Sequence, residues 1–143
     1  MFQRILLAWD GSQVSLRAFE VAIDITRRYE ASLQAVSIAY SPAHAETSAD
    51  RIESADAAHR YLLETFAEAR DRAERAGVDV EHAVIEGEPP AKALLSHARV
   101  HGFDLIVCGH HRGHRAGRLL LRGVAPALVA DATTPVLVVT EDP

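Results

Sequence analysis

The segment 104–123, DLIVCGHHRGHRAGRLLLRG, is the most informative part of the sequence for the architecture of the protein. It begins with the apolar run Leu105 to Cys108, whose length and β-branched content are typical of a buried parallel strand. A glycine-rich loop follows, and a second apolar run, Leu119 to Leu121, begins a helical pattern. In open α/β sheets this succession binds anions, because the ligand lies beyond the carboxyl end of the strand and meets the unpaired N–H groups of the helix.

The loop is basic, although the chain as a whole is acidic. From Gly109 to Gly123 there are four arginines and no carboxylate, whereas the formal net charge of the chain is −5. This contrast favours a phosphate or another acidic group as the partner of the loop. The alternative is a solvated turn whose arginines pair with acidic neighbours. The acidic balance of the whole chain argues against nucleic acid as a partner.

Length and composition indicate one domain, 1–143, of an ordinary globular protein. A single cysteine, Cys108, excludes an intramolecular disulfide and fits a reducing compartment. Because it falls inside the apolar run, we interpret it as an inert core residue. The first apolar run is too short for a signal peptide, and no segment is long enough to span a membrane. We therefore expect a cytoplasmic protein.

Five strand patterns alternate with four helical patterns along the chain. Strands are expected at 4–9, 33–39, 78–85, 104–108 and 136–139. Helices are expected after Ser12, which is a suitable N-cap, then around 62–76, from Pro90 and from about 118 to 131. The polar segment 41–55 has no periodicity and is interpreted as a loop. Such alternation requires a parallel sheet covered by helices on both faces.

Several short motifs occur in a characteristic order. They are Asp10-Gly11-Ser12 after the first strand, Glu86-Gly87-Glu88-Pro89, the run from Asp104 to Gly109, Arg118-Leu119-Leu120-Leu121, and the tail Thr134-Pro135-Val136-Leu137-Val138-Val139. Together they resemble the universal stress protein family over essentially the whole chain. The resemblance implies a doubly wound sheet in the order 3-2-1-4-5. It also implies a homodimer in which the last strands pair, and the uncharged run Val136, Leu137, Val138, Val139 suits such an edge.

Members of this family that bind ATP resemble Gly-x2-Gly-x9-Gly-Ser/Thr, and this chain departs from that pattern. In an ungapped alignment Gly109 holds the first glycine position. Arg112 then stands at the second glycine, Arg122 at the third, and Gly123 at the hydroxyl residue. An arginine tolerates a positive φ poorly, and a glycine has no hydroxyl to donate to a phosphate oxygen. The arginines could instead supply bidentate phosphate contacts of their own.

An alignment shifted by one residue does not restore the pattern either. Gly113 and Gly123 then fill the second and third glycine positions, but His110 takes the first and Val124 takes the position of the hydroxyl residue. The resemblance therefore leaves ATP as a possible cofactor with altered phosphate contacts.

The resemblance also assigns two residues outside the loop. Asp10 stands where nucleotide binders place a carboxylate near the ribose and the adenine, and Ile38 stands where an apolar residue flanks the base. Two further interpretations come from position alone. Asp10 could cap the following helix, and Trp9 is expected to pack in the core, with a role as a base-stacking platform as the alternative. On this basis we expect a stress-response or regulatory dimer that acts as a binding module with an unidentified protein partner. The alternatives are an adenine-nucleotide sensor with slow hydrolysis at most, and an interaction dimer without a ligand.

Histidines and serines give no clear catalytic or metal-binding pattern. His110, His111 and His114 could be imagined as zinc ligands or as pH-sensitive groups, but no cysteine is suitably spaced and no carboxylate is expected nearby, so no metal is expected. No histidine is expected beside Ser12, the serine nearest to the site. The remaining histidines form no constellation in the sequence: His44, His59, His82, His97 and His101.

Overall fold

The computed structural model describes residues 1–39, 48–87, 89–111 and 123–141, with side chains described from residue 55 onward in the second of these ranges. Within these ranges the chain forms five strands and four helices. In chain order they are β1 Arg4–Ala8, α1 Gln13–Tyr29, β2 Ser32–Ala39, α2 Ser48–Arg75, β3 Val80–Glu86, α3 Pro90–Val100, β4 Leu105–His110, α4 Val124–Asp131 and β5 Val136–Thr140.

The five strands form one parallel sheet in the order β3-β2-β1-β4-β5, which confirms the predicted fold. Strand β1 is central: Leu6 is aligned with Gln34 of β2 on one side and with Ile106 of β4 on the other. The chain builds the sheet outward from β1 in one direction and then in the other. The crevice outside the carboxyl ends of β1 and β4 is therefore the topological switch point, where sheets of this kind bind ligands.

Helices cover both faces of the sheet and bury β1 from Ile5 to Ala8. On one face Leu7 belongs to a cluster with Phe19 of α1 and Phe66 of α2. On the other face Leu6 packs in a cluster with Leu94 of α3. All of these side chains are fully buried. Burying a leucine or phenylalanine contributes roughly 1.5–3 kcal/mol per side chain, so the two layers hold the central strands in place.

The predicted helix boundaries at Ser12, Gly77 and Pro90 are confirmed. Ser12 Oγ accepts a hydrogen bond from the Ser15 N–H at 3.2 Å and thereby caps α1. Pro90 stands in the first turn of α3, where its missing N–H leaves no hydrogen bond unmade. Gly77 follows α2 with φ +73°, a left-handed conformation that ends a helix at little cost in a glycine.

The prediction of a loop over 41–55 is wrong for its second half, because α2 already begins at Ser48. The segment has no apolar periodicity, but its alanine, glutamate and arginine residues have high helix propensity. Extending an existing helix costs little once the apolar part, with Leu62 and Phe66, is packed on the sheet. Residues 41–47 lie outside the described residues.

The last helix also begins later than predicted, at Val124 instead of near residue 118. Gly123 has φ +75°, and a left-handed residue interrupts a right-handed helix, so α4 begins after this glycine. Residues 118–122 themselves lie outside the described residues. Strand β3 is only half-buried, as its alternating pattern predicts.

Candidate ligand-binding site

Asp10 lies directly beyond β1 at the switch point, and its side chain is completely buried. Its Oδ1 accepts a hydrogen bond from the backbone N–H of Ser12 at 2.9 Å. Its Oδ2 lies 2.9 Å from Nε2 of His111. Both carboxylate oxygens are therefore bonded to protein groups. The N-cap of α1 is Ser12 and not Asp10, and Asp10 holds the turn that presents Ser12.

Two opposing effects act on the pKa of Asp10. Burial raises it, but the hydrogen bonds to His111 and Ser12 together outweigh burial and hold the pKa below its ordinary value. Asp10 is consequently ionised at neutral pH. A buried anion at the switch point is a strong acceptor for hydroxyl and amino groups.

His111 follows β4 immediately and joins three elements at the site. Its side chain is 5% exposed. Besides Asp10, its Nε2 lies 3.4 Å from Ser12 Oγ, and its Nδ1 lies 3.9 Å from Oε1 of Glu141, which follows β5. Two expectations are therefore wrong: a carboxylate does lie near the histidine cluster, and a histidine does lie beside Ser12.

The sequence conceals this contact because Asp10 and His111 are 101 residues apart. They meet because β1 and β4 are neighbours in the sheet, so the residues after their carboxyl ends converge. The predicted strand order 3-2-1-4-5 already places the ends of β1 and β4 side by side. Comparing the residues that follow these two strands could therefore have found the pair.

Ser12, His111 and Asp10 do not form a nucleophile–base–orienter set. In such a set one imidazole nitrogen faces the hydroxyl and the other faces the carboxylate. Here Ser12 Oγ and Asp10 Oδ2 both face Nε2. Ser12 Oγ also accepts the hydrogen bond that caps α1. The arrangement is suited to holding a carboxylate in place and not to activating a nucleophile.

The other candidate residues in the described ranges lie near the same edge of the sheet or at the start of α4. Gly109 precedes the last residue of β4, and Ile38 precedes the last residue of β2 and is 1% exposed. Gly123 precedes α4, and Val124 is its buried first residue. Their contact with a ligand stays a prediction. Three predicted candidates lie outside the described residues: Arg112, Gly113 and Arg122. His114 of the histidine cluster also lies outside them.

Gly109 has a packing role that the sequence motif does not reveal. A Cβ atom at this position would stand 2.9 Å from the carbonyl oxygen of Val14, in the first turn of α1. Real side chains almost never approach a backbone oxygen so closely. The glycine therefore allows β4 to pack closely against the start of α1, independently of any contact with a ligand.

Trp9 packs in the core, as predicted. It is 2% exposed, and its ring makes edge contacts with Phe19 and Phe66 at centroid distances of 6.0 and 5.5 Å. Its Nε1–H donates to Oγ1 of Thr65 on α2 at 3.2 Å. A base-stacking platform would need an exposed ring face, so Trp9 does not fill that role in this structure.

The remaining described histidines include two organised groups, contrary to the sequence interpretation. His97 and His101 stack on each other, with ring centroids 4.3 Å apart. His82 lies under Phe66 and joins a buried chain of hydrogen bonds. In that chain Ser37 Oγ–H donates to the carbonyl of Trp9 at 2.7 Å and accepts from His82 Nε2–H at 2.9 Å.

His82 makes stability depend on pH. Burial, together with the charges of Arg70 and His59, lowers its pKa from 6.5 to about 4. Between these values the unfolded chain binds a proton that the folded chain does not. The stability that depends on a neutral His82 is therefore fully present above pH 6.5 and is lost as pH falls toward 4. Allowing for solvent screening, we expect the free energy of unfolding to fall by roughly 1–2 kcal/mol across this window.

The variant that tests this assignment is His82→Gln, whose side-chain amide can still donate to Ser37 but does not titrate. Urea unfolding at several pH values should show a shallower dependence for the variant. Part of the slope should persist, because burial and His101 also lower the pKa of His97. Equal slopes in the two proteins would contradict the assignment to His82.

The fold and the site together define a doubly wound, Rossmann-like α/β domain with a buried carboxylate at its switch point. Residues 1–140 match the universal stress protein family, and the chain belongs to that family. A universal stress protein of Thermus aquaticus is 35% identical over 140 residues, spanning 97% of this chain and 99% of the relative.

Solved structures of universal stress proteins share the fold. A protein of this family from Burkholderia pseudomallei has a TM-score of 0.79 and 27% identity and covers 96% of each chain. A universal stress protein in complex with cAMP has a TM-score of 0.74 and 30% identity, covering 96% of this chain and 97% of that one. The Archaeoglobus fulgidus protein in complex with dAMP, at 18% identity, TM-score 0.65 and coverage of 97% and 98%, shows the fold alone.

Within the described ranges, no helix combines the length and apolar character needed to cross a membrane. In the same part of the chain, no three histidine, cysteine, aspartate or glutamate side chains converge on a common point as metal ligands.

Proposed function

We propose that this universal stress protein is a cytoplasmic regulatory module that binds an adenine nucleotide in the crevice outside β1 and β4. The observation that carries the proposal is the buried, ionised carboxylate of Asp10 at the switch point. The complex of a 30% identical universal stress protein with cAMP supports an adenine nucleotide as the ligand. The acidic balance of the chain disfavours nucleic acid as the partner.

Each part of the nucleotide has a matching group at this edge. Asp10 would accept a hydrogen bond from a ribose hydroxyl or from the amino group of the base. Ile38 would flank the base. The first backbone N–H groups of α4, beside Gly123 and Val124, would face phosphate, since a helix N-terminus attracts anions.

The arginines are proposed to replace the phosphate contacts that the altered motif lacks. Arg112 and Arg122 stand at two glycine positions, and guanidinium groups bind phosphate bidentately. Binding would then weaken with added salt more than in a protein that relies on backbone N–H groups. We expect binding with hydrolysis that is slow at most, because the described site offers no activated nucleophile or base aimed at a phosphate.

One observation favours a second candidate function, an interaction dimer without a ligand. The carboxylate of Asp10 is completely covered, and both of its oxygens are bonded within the protein. To distinguish the two functions, the purified protein is denatured and the released small molecules are analysed by mass spectrometry. Release of an adenine nucleotide in stoichiometric amount supports nucleotide binding. If none is released and added nucleotide does not bind in a titration, the ligand-free dimer is supported.

The proposed homodimer pairs the β5 strands of two copies. Strand β5 is an edge of the sheet, and Val136, Leu137 and Val138 are only partly buried in one chain. An uncharged edge strand of this kind pairs readily with another chain. We expect a dimer at micromolar concentration in analytical ultracentrifugation.

Val138→Lys should shift this equilibrium toward the monomer, because the added charge would lie in the paired edges. The control is Val129→Lys on the outer face of α4, where the side chain is 60% exposed and lies outside β5. Circular dichroism should show that both variants are folded. A monomeric wild-type chain at micromolar concentration would contradict the dimer.

A further inference from the structure

His97 lies in the last turn of α3, and His101, one helical turn further along the chain, is the C-cap residue of this helix. The backbone N–H of His101 donates to the carbonyl of His97 at 3.0 Å, so the last helical hydrogen bond ends at the second histidine. Their ring centroids are 4.3 Å apart. Two histidines at this spacing direct imidazole nitrogens to the same side of a helix, which is the arrangement by which helical His-x3-His pairs bind metal ions.

Gln34 of β2 fixes the orientation of the first imidazole. Its Oε1 lies 3.0 Å from His97 Nε2. An amide oxygen can only accept a hydrogen bond, so His97 Nε2 bears the proton and Nδ1 bears the lone pair. A hydrogen-bonded neighbour that sets the tautomer in this way is the usual companion of a metal-binding histidine.

Fixed charges around the two histidines both favour and oppose a bound cation. The pair lies at the carboxyl end of α3, where the helix dipole favours a cation. Two positive charges oppose a cation. Lys92 lines the same surface cleft as the two histidines, and the guanidinium of Arg4 lies 5.0 Å from the ring centroid of Phe103, on which His97 stacks.

We propose that His97 and His101 bind one divalent transition-metal ion of the imidazole-preferring class that includes Zn²⁺, Ni²⁺ and Cu²⁺. Two protein nitrogens hold the ion, and water completes its coordination. The histidines line an open surface cleft of about 400 Å³ with Glu86, Ser96 and Val100, which leaves room for those waters. The site is separate from Asp10 and does not depend on nucleotide binding. With two protein ligands we expect micromolar affinity and little binding of Mg²⁺, which prefers oxygen ligands.

The test is a titration of the full-length chain with Ni²⁺, and then with Zn²⁺, by isothermal calorimetry at neutral pH. We expect His101→Ala and His97→Gln each to lose the site. Gln34→Leu should weaken binding by about tenfold, because loss of a group that orients a metal ligand typically costs 10–100-fold in affinity. His59→Ala, at an exposed histidine on α2, is the matched control and should bind like the wild type.

The histidine-rich loop is the competing source of binding, so the double variant His110→Ala, His114→Ala is titrated in parallel. Retention of the site in this variant together with its loss in His101→Ala supports the proposal. The opposite pattern, or wild-type affinity and stoichiometry in His101→Ala, would overturn it. His101 is exposed, so this variant should fold normally, and thermal unfolding without metal checks that it does.

Discussion

Asp10→Ala is expected to lower the free energy of unfolding by about 2–5 kcal/mol. The substitution leaves the Ser12 N–H and the His111 imidazole without their acceptor inside a closed site. Each buried polar group left unpaired costs about 1–3 kcal/mol. Urea unfolding monitored by the fluorescence of Trp9 at neutral pH measures the change.

Two further variants separate the effect of the buried hydrogen bonds from the effect of the negative charge. Asp24→Ala removes an exposed carboxylate that pairs with Arg28 at 2.9 Å on the surface of α1, and we expect it to cost about 0.5 kcal/mol. Asp10→Asn retains the shape and an acceptor for Ser12 but not the charge, so it should fold and still lose ligand affinity. If Asp10→Ala were as stable as Asp24→Ala, the carboxylate would not be the anchor that the hydrogen bonds indicate.

Gly109→Ala is expected to destabilise the fold by about 2–3 kcal/mol. The added Cβ would lie 2.9 Å from the Val14 carbonyl oxygen and 3.0 Å from the Val14 carbonyl carbon, and neither atom can move without displacing α1 or β4. Overpacking of this kind typically costs about 1–3 kcal/mol. Urea unfolding again measures the effect.

Gly77→Ala is the matched comparison, since its added Cβ would meet nothing within 4 Å and only the φ of +73° opposes it. A left-handed alanine costs about 1–2 kcal/mol, so Gly109→Ala should be the more damaging change. If Gly109→Ala were harmless to stability but abolished nucleotide binding, the glycine would serve the ligand and not the packing.

The architecture could be predicted because its signals are local. The buried strands show apolar runs such as Leu105 to Cys108, and Ser12 and Pro90 mark helix starts through their own chemistry. The strand order came from a resemblance to a family, since alternation of strands and helices predicts a parallel sheet without fixing its order. The start of α2 escaped prediction because a polar first part of a helix shows no apolar face.

The contacts of the site could not be predicted in the same way. The pairing of Asp10 with His111 depends on which strand lies beside β1, and the pairing of His82 with Ser37 depends on the register of β2 and β3. Gly109 shows a different problem. Its place in a motif indicates a ligand contact, whereas its distance to Val14 reveals a packing constraint. One residue can satisfy both demands, and only the folded geometry separates them.

The measurement that tests nucleotide binding most directly is a calorimetric titration of the nucleotide-free, full-length chain with AMP, ATP and cAMP at physiological salt. We expect saturable binding of at least one of them, with one site per chain, and a loss of affinity of at least about tenfold in Asp10→Asn, equivalent to one charge-assisted hydrogen bond. Asp24→Ala should bind like the wild type. Absence of saturation with all three nucleotides at millimolar concentration, or equal affinity in Asp10→Asn, would contradict a nucleotide site built on Asp10.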